Sequence, residues 1–134
     1  MLGIYLESLI IATPIDASKI TIVPKTKVEM FNKLSNGAPL TIHCKSRDDD
    51  LGKHVLGAGQ SYSFQFRVNI FGSTLFFCGA SWQGGQIKFE IYNTDRDDYG
   101  RCNEYCQWEA RDYAIVGFKE GESKSYDISL PWHH

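Results

Sequence analysis

The stretch "LTIHCKSRDDDLGKHVL", residues 40–56, decides how this chain is read. Its first half alternates: Leu40, Ile42 and Cys44 fall on one side, Thr41, His43 and Lys45 on the other. A period of two marks a strand with one buried face, whereas a helix returns apolar residues at every third or fourth position. The second half crowds Asp48, Asp49 and Asp50 between His43 and His54, with Gly52 close behind. That cluster admits three readings: a metal site, an acidic catalytic centre, or a solvated turn at the exit of a strand.

Spacing weighs against the first two. An EF-hand loop places ligands at every second residue, with Gly at the sixth position and Glu at the twelfth. Here the aspartates are contiguous, Gly52 is fifth counted from Asp48, and no Glu follows before Glu90. Zinc would have to combine the C-x3-C of "CNEYC" (102–106) with both His43 and Cys44, two neighbours that point to opposite faces of a strand. Catalysis by a nucleophile and a histidine base has no G-x-S-x-G elbow, H-E-x-x-H, P-loop or G-x-G-x-x-G to support it. The turn reading needs only one aspartate bonded to backbone amides and a positive φ at Gly52. The expectation is therefore no catalytic residue, no resident metal and no cofactor.

The same alternation continues on both sides. "TKVEMFNKL" puts Val28 and Met30 on one face, and the Asn-Gly of "SNGAP" suggests that it forms a hairpin with "LTIHCKS". "SYSFQFR" turns Tyr62, Phe64 and Phe66 inward. "TLFFCGASW" is nearly continuous in apolar residues, as for a strand covered on both faces or near a sheet centre. "QIKFEIYN" alternates Ile87, Phe89 and Ile91 with charged neighbours, and "CNEYCQWEARDY" aligns Cys106, Trp108 and Ala110. "AIVGF" and "KSYDISL" follow, the latter with Tyr126, Ile128 and Leu130 on one face. This pattern predicts an all-β fold, an antiparallel sandwich of about seven or eight short strands. It forms a single domain over residues 26–131.

Composition narrows the function. The net charge of −2 over 134 residues supplies no basic footprint for nucleic acid. No apolar run reaches the length of about 18 residues that a membrane span needs, so membrane insertion is not expected. The N-terminal segment 1–17 reads as a degenerate signal peptide: apolar Leu9 to Ala12, then an A-x-A-like site ending at Ala17, although Glu7 interrupts it and no Lys or Arg precedes it. Four cysteines, Cys44, Cys78, Cys102 and Cys106, suggest two disulfides in an oxidising compartment. Strand parity turns Cys44, Cys78 and Cys106 into the core and leaves Cys102 near a loop. Three pairings are open; this reading leans to Cys44–Cys106 with Cys78–Cys102 and disfavours the short Cys102–Cys106 loop.

The aromatics Trp82, Tyr92, Tyr99, Trp108, Tyr113 and Trp132 could line a sugar or peptide platform, but core and sheet-surface packing accounts for most of them more simply. Recognition on a sandwich usually falls to its loops. Two are charged with both signs, "KSRDDDLGK" and "NTDRDDYGR", which suits a protein partner better than a polyanion. The candidate contacts are Arg47, Asp48, Asp49, Asp50 and Lys53 in the first, and Asp95, Arg96, Asp97 and Asp98 in the second.

With these motifs in place, the sequence resembles the plant self-incompatibility S-protein family. The resemblance rests on "NKLSNGAPLTIHCKSRDDDLGKHVL", "GQSYSFQF", "GSTLFFCGASW", the F-E-I-Y of residues 89–92, "RDDYGRC" and "CQW", in that order from about Asn32 to Trp108. It implies a secreted, extracellular plant protein, disulfide-stabilised and not an enzyme. The founding members look like pistil ligands that meet a cell-surface receptor and trigger rejection of self pollen. The expected state is a monomer whose partner is such a receptor. An extracellular carbohydrate- or metal-binding module is the competing expectation.

Overall fold

The computed structural model describes residues 23–134; the candidate signal segment 1–17 lies outside the described residues. Nine strands occur in chain order: β1 (Lys25–Asn32), β2 (Leu40–Lys45), β3 (Asp50–Leu56), β4 (Ser61–Arg67), β5 (Leu75–Trp82), β6 (Gly85–Asn93), β7 (Tyr105–Ala110), β8 (Ala114–Phe118) and β9 (Ile128–Pro131). One short helix, α1 (Thr94–Asp97), follows β6. They form a five-stranded sheet, β4-β1-β7-β8-β9, facing a four-stranded sheet, β3-β2-β5-β6. The predicted sandwich is what forms, with two departures: it has nine strands rather than seven or eight, and β1 and β7 run parallel, while all other pairs are antiparallel.

Period-two alternation builds the space between the sheets. Val28 and Met30 of β1, Leu40, Ile42 and Cys44 of β2, and Cys106, Trp108 and Ala110 of β7 are all fully buried. Trp108 links the layers directly, its indole Nε1–H donating to the Ile91 carbonyl of the opposite sheet at 3.1 Å. Tyr62, Phe64 and Phe66 of β4 pack on the core from its margin, half-buried. β8 is buried on both faces, because Ala114, Val116 and Phe118 form a small second cluster on its outer side. Tyr126 caps that cluster edge-on to Phe118. It therefore does not share the inward face of Ile128 and Leu130, because it precedes β9 in a loop rather than continuing its alternation.

Two further expectations change, the hairpin and the disulfide pairing. The Asn36-Gly37 pair does take positive φ, 60° and 66°, but the turn joins the two sheets instead of closing a hairpin. Both edges of β1 are taken, by β4 and β7, so β2 pairs with β3 across the acidic turn instead. Buried Asn32 fixes this crossing: its side-chain amide donates to the carbonyls of Ala38 and Leu56, and its oxygen accepts the Leu34 N–H. β5 does lie inside its sheet, between β2 and β6. It is not covered on both faces, however, since Phe77 is 43% exposed on the outer one.

The disulfides are Cys44–Cys78 and Cys102–Cys106, which corrects the favoured pairing. Cys44 and Cys78 stand opposite each other on neighbouring strands of one sheet, so the shared face that suggested a bridge between sheets is satisfied within one. Cys102 then meets Cys106 across a tight turn ahead of β7, with both residues wholly buried.

The sequence separations of 34 and 4 residues predict unequal contributions. Loop-closure entropy gives about 4 kcal/mol for the long bridge and about 2 kcal/mol for the short one. Urea unfolding of the Cys44→Ala/Cys78→Ala and Cys102→Ala/Cys106→Ala proteins should reproduce that order.

Candidate functional site

Antiparallel connection places four loops at one end of the sandwich. β2, β4, β6 and β8 all run towards it, and the segments 46–49, 68–74, 94–104 and 119–127 turn there. Lys45, at the end of β2, lies opposite Phe77 near the start of β5. Thr74 and Thr94 tie the second loop to the third: the Thr74 N–H donates to Thr94 Oγ1 at 2.7 Å, and that hydroxyl donates back to the Thr74 carbonyl. The third is tied to the fourth by Arg101 and Asp127. Both charged loops singled out in the sequence thus share one surface.

Asp48 and Asp49 lie in the expected turn, but Asp50 already opens β3 and Gly52 sits within that strand, at the register shift against His43 and Lys45. Asp50 Oδ1 accepts the Gly52 N–H at 2.9 Å, and Gly52 has φ 86°. The same oxygen meets His43 Nε2 at 2.6 Å. The Gly52 amide, and then His43, hold the Asp50 carboxyl below its ordinary pKa. Asp49 closes the loop on Ser46, whose N–H donates to the Asp49 carbonyl. Arg47 and Asp48 project into solvent, 3.7 Å from each other. Among the described residues, no three His, Cys, Asp or Glu side chains converge as metal ligands would. Lys53 is exposed on β3 itself, opposite His43, rather than in the loop.

The second charged loop divides into surface and interior. Asp95 is exposed and Asp98 half-buried, but Asp97 is fully buried. It is therefore withdrawn from any partner, and its chemistry is structural. Its carboxylate accepts from Arg96, from Arg101 at 2.9 Å and from the Asn93 N–H. Arg101, 8% exposed, forks onto Asp127 with two bonds of 2.7 Å. Burial works against the Arg101 charge, but the Asp127 bonds and the Asp97 charge outweigh it and raise its pKa. In return Arg101 holds the Asp127 carboxyl below the usual range. The guanidiniums of Arg96 and Arg101 lie 5.4 and 5.8 Å from the Trp108 ring, which adds a cation–π contribution. Sequence reading missed this cluster because its members look like ordinary loop charges; "RDDYGRC" carried it only as a motif.

The third contributor was also missed. Ile70 and Phe71 stand 67% and 93% exposed at the tip of segment 68–74. Asn69 holds the tip, its side chain accepting the Phe71 N–H and its own N–H donating to Thr74 Oγ1. Of the six aromatics considered as a platform, Tyr92, Trp108 and Trp132 are buried, Trp82 is half-buried, and only Tyr99 and Tyr113 are open to solvent.

A family profile described as "Plant self-incompatibility protein S1" matches residues 27–132. This chain belongs to that family. Among relatives of this S1-family chain, S-protein homolog 2 of Arabidopsis thaliana is 41% identical over 112 residues, 81% of this chain and 69% of that protein. Self-incompatibility protein S1 of Papaver rhoeas is 36% identical over 98 residues, 72% of this chain and 70% of that protein. A solved structure, described as one of the SPH (Self-Incompatibility Protein Homologue) proteins, "a widespread family of small, highly stable, secreted proteins from plants", superposes with a TM-score of 0.65. It covers 84% of this chain and 97% of its own at 16% identity, so what it shares is the fold.

For the S1-family loop end, the Arg101 cluster sets the acid response. With its folded-state pKa depressed, Asp127 contributes fully above the ordinary carboxylate pKa, and that contribution fades as pH falls through the lowered folded value. Asp97→Ala should cost about 3 kcal/mol by removing one of the two carboxylates that answer the buried Arg101 guanidinium, and Asp127→Ala about 1–3 kcal/mol. The Asp127→Ala deficit should be full at neutral pH and shrink in acid, as read by urea unfolding across pH.

Proposed function

We propose that this protein is a secreted, non-catalytic plant recognition protein of the S1 type that binds a cell-surface receptor protein through its loop-bearing end. The carrying observation is that the two mixed-charge loops and the apolar Ile70–Phe71 tip meet on one end of a rigid sandwich. Family membership supports it, as does the Papaver relative named for self-incompatibility. Two disulfides fit an oxidising, extracellular compartment.

The partner reading follows from the chemistry of that end. Two apolar side chains inside a polar rim have the form of an interface anchor, where a few residues carry most of the affinity. Asp48, Asp49, Asp95 and Asp98 around them are repelled by an anionic bilayer, so the tip suits an apolar pocket of a protein. Arg47 and the exposed aspartates then steer approach and fix orientation. Asp50 and Arg96 are half-committed to internal bonds and contribute less.

Replacing Ile70 and Phe71 with Ser should weaken binding to responsive plant cells by about 30-fold or more, the loss of at least one hot spot of about 2 kcal/mol. The unfolding midpoint should stay within the small range of surface substitutions. Asp48→Lys/Asp49→Lys should instead slow association and change its salt dependence. Unchanged binding in both proteins would defeat loop-end recognition. Secretion is tested separately, by sequencing the mature N-terminus of protein recovered from the cell-wall space and counting its free thiols, where the expected count is zero.

A further inference from the structure

Gly79 sits in the middle of β5, inside its sheet, with no internal reason to be glycine. It pairs in regular register with His43 on one side and Lys88 on the other, so it is not a bulge. Its φ lies outside the positive region. A Cβ built there would meet nothing within 4 Å. Glycine inside a strand weakens it, and where neither a bulge nor a bend explains it, the remaining reason is close approach of something to the backbone.

The surroundings show what would approach. Two open cavities of about 710 and 460 Å³ run along the outer faces of β5 and β6 and share Gly79 and Lys88. They form one trough with glycine as its floor. At one end stands Phe77, 43% exposed; at the other, Ser81, Gln86 and His133 offer polar groups. Across the floor the sheet row reads Lys53, His43, Gly79, Lys88. Lys45 lies beside Phe77 in the next row. Asp50 fixes the His43 ring, and Glu90 is turned to the Asn93 side chain at 2.9 Å. Among the described residues, no carboxylate forms an ion pair with Lys88.

We propose that this trough binds an acidic oligosaccharide, with a uronate ring lying over Gly79, its C–H face towards Phe77 and its carboxylate on Lys88. Three features select this class. Lys45 and Lys88 outnumber the one carboxylate of the lining, Glu90, and favour a negatively charged ligand. The flat aromatic beside a bare floor accepts a ring rather than a branched chain. β5 is hydrogen-bonded on both sides by β2 and β6, so an acidic peptide finds no free strand edge to extend. The trough spans Phe77 to Ser81, roughly 13 Å at about 3.3 Å per residue, enough for a short oligomer. It lies on a sheet face that adjoins the loop end at Lys45 and Phe77 but shares no residue with the Ile70–Phe71 tip proposed for the receptor.

The test is NMR titration of the full described fold with trigalacturonate, cellotriose and a tri-glutamate peptide. Trigalacturonate should shift the amides of His43, Phe77, Gly79 and Lys88, and the neutral sugar and the peptide should not. Lys88→Gln should weaken binding about tenfold, the loss of one charge-assisted bond. Gly79→Ala should raise the unfolding midpoint while also weakening binding about tenfold, a combination that a purely structural glycine does not give. Ile70→Ser/Phe71→Ser should bind trigalacturonate as the parent does, which separates this site from the receptor reading. No shifts with trigalacturonate, equal binding of cellotriose or the peptide, or undiminished binding by Gly79→Ala would each overturn the proposal.

Discussion

A guanidinium buried to 8% exposure needs its charge answered on every side, and the loop end of this protein is arranged to do so. Arg101 meets Asp97 from the α1 turn and Asp127 from the approach to β9, over the face of Trp108. Those partners come from three separate stretches of chain, so satisfying one ion fixes the positions of two loops relative to the core. Gly117 leaves room for it: a Cβ there would come within 3.0 Å of the Arg101 guanidinium and 2.9 Å of the Trp108 ring. A buried pair of this kind is weak as a source of net stability but strict about geometry. The mobile-looking charges at this end thus divide into a fixed interior set and a free outer set. Only the outer set is available to a partner.

What the sequence revealed was the face of each strand, because parity is a local property. Val28, Leu40, Ile42, Cys106 and Trp108 were legible as core from alternation alone, and Gly52 as a positive-φ position from its place behind three aspartates. Parity says nothing about neighbours, and each error follows from that. β1 reads as a hairpin partner of β2, yet its edges go to β4 and to the distant β7. Cys44 and Cys78 share inward faces, and a shared face does not tell whether a bridge crosses between sheets or along one. Asp97 and Arg101 read as solvated because charge normally is, and the pairing of Arg101 with Asp127 spans 26 residues of sequence. Asn32, the buried amide joining the sheets, carried no local signal at all. Phe71 was visible as a residue but not as an exposed one, since exposure of a loop tip depends on what surrounds it.

The two sheets also differ in what they ask of their surfaces. The larger sheet covers part of its outer side: Arg111 lies between Phe118 and Tyr126, 5.7 and 5.5 Å from their rings, over β8. The smaller sheet leaves its outer side bare between His43 and Lys88. A strand that gives up a side chain at its centre loses order locally, and the disulfide one residue away at Cys78 offsets that loss. The covalent link and the gap sit on the same strand, facing opposite ways.

The parallel pairing of β1 with β7 has a consequence for synthesis on the ribosome. The strands of the smaller sheet, with Cys44 and Cys78, lie between residues 40 and 93 and leave the ribosome ahead of Cys102. The larger sheet must wait, because the second edge of β1 stays open until β7 follows. Such an open edge is where nascent β-proteins associate wrongly. The delay has a compensation: Cys44 and Cys78 are exposed together before either Cys102 or Cys106 can compete for them. A Cys44–Cys78 bridge closed in that interval leaves Cys102 and Cys106 a single choice, so order of arrival favours the one pairing seen among the three that four cysteines permit.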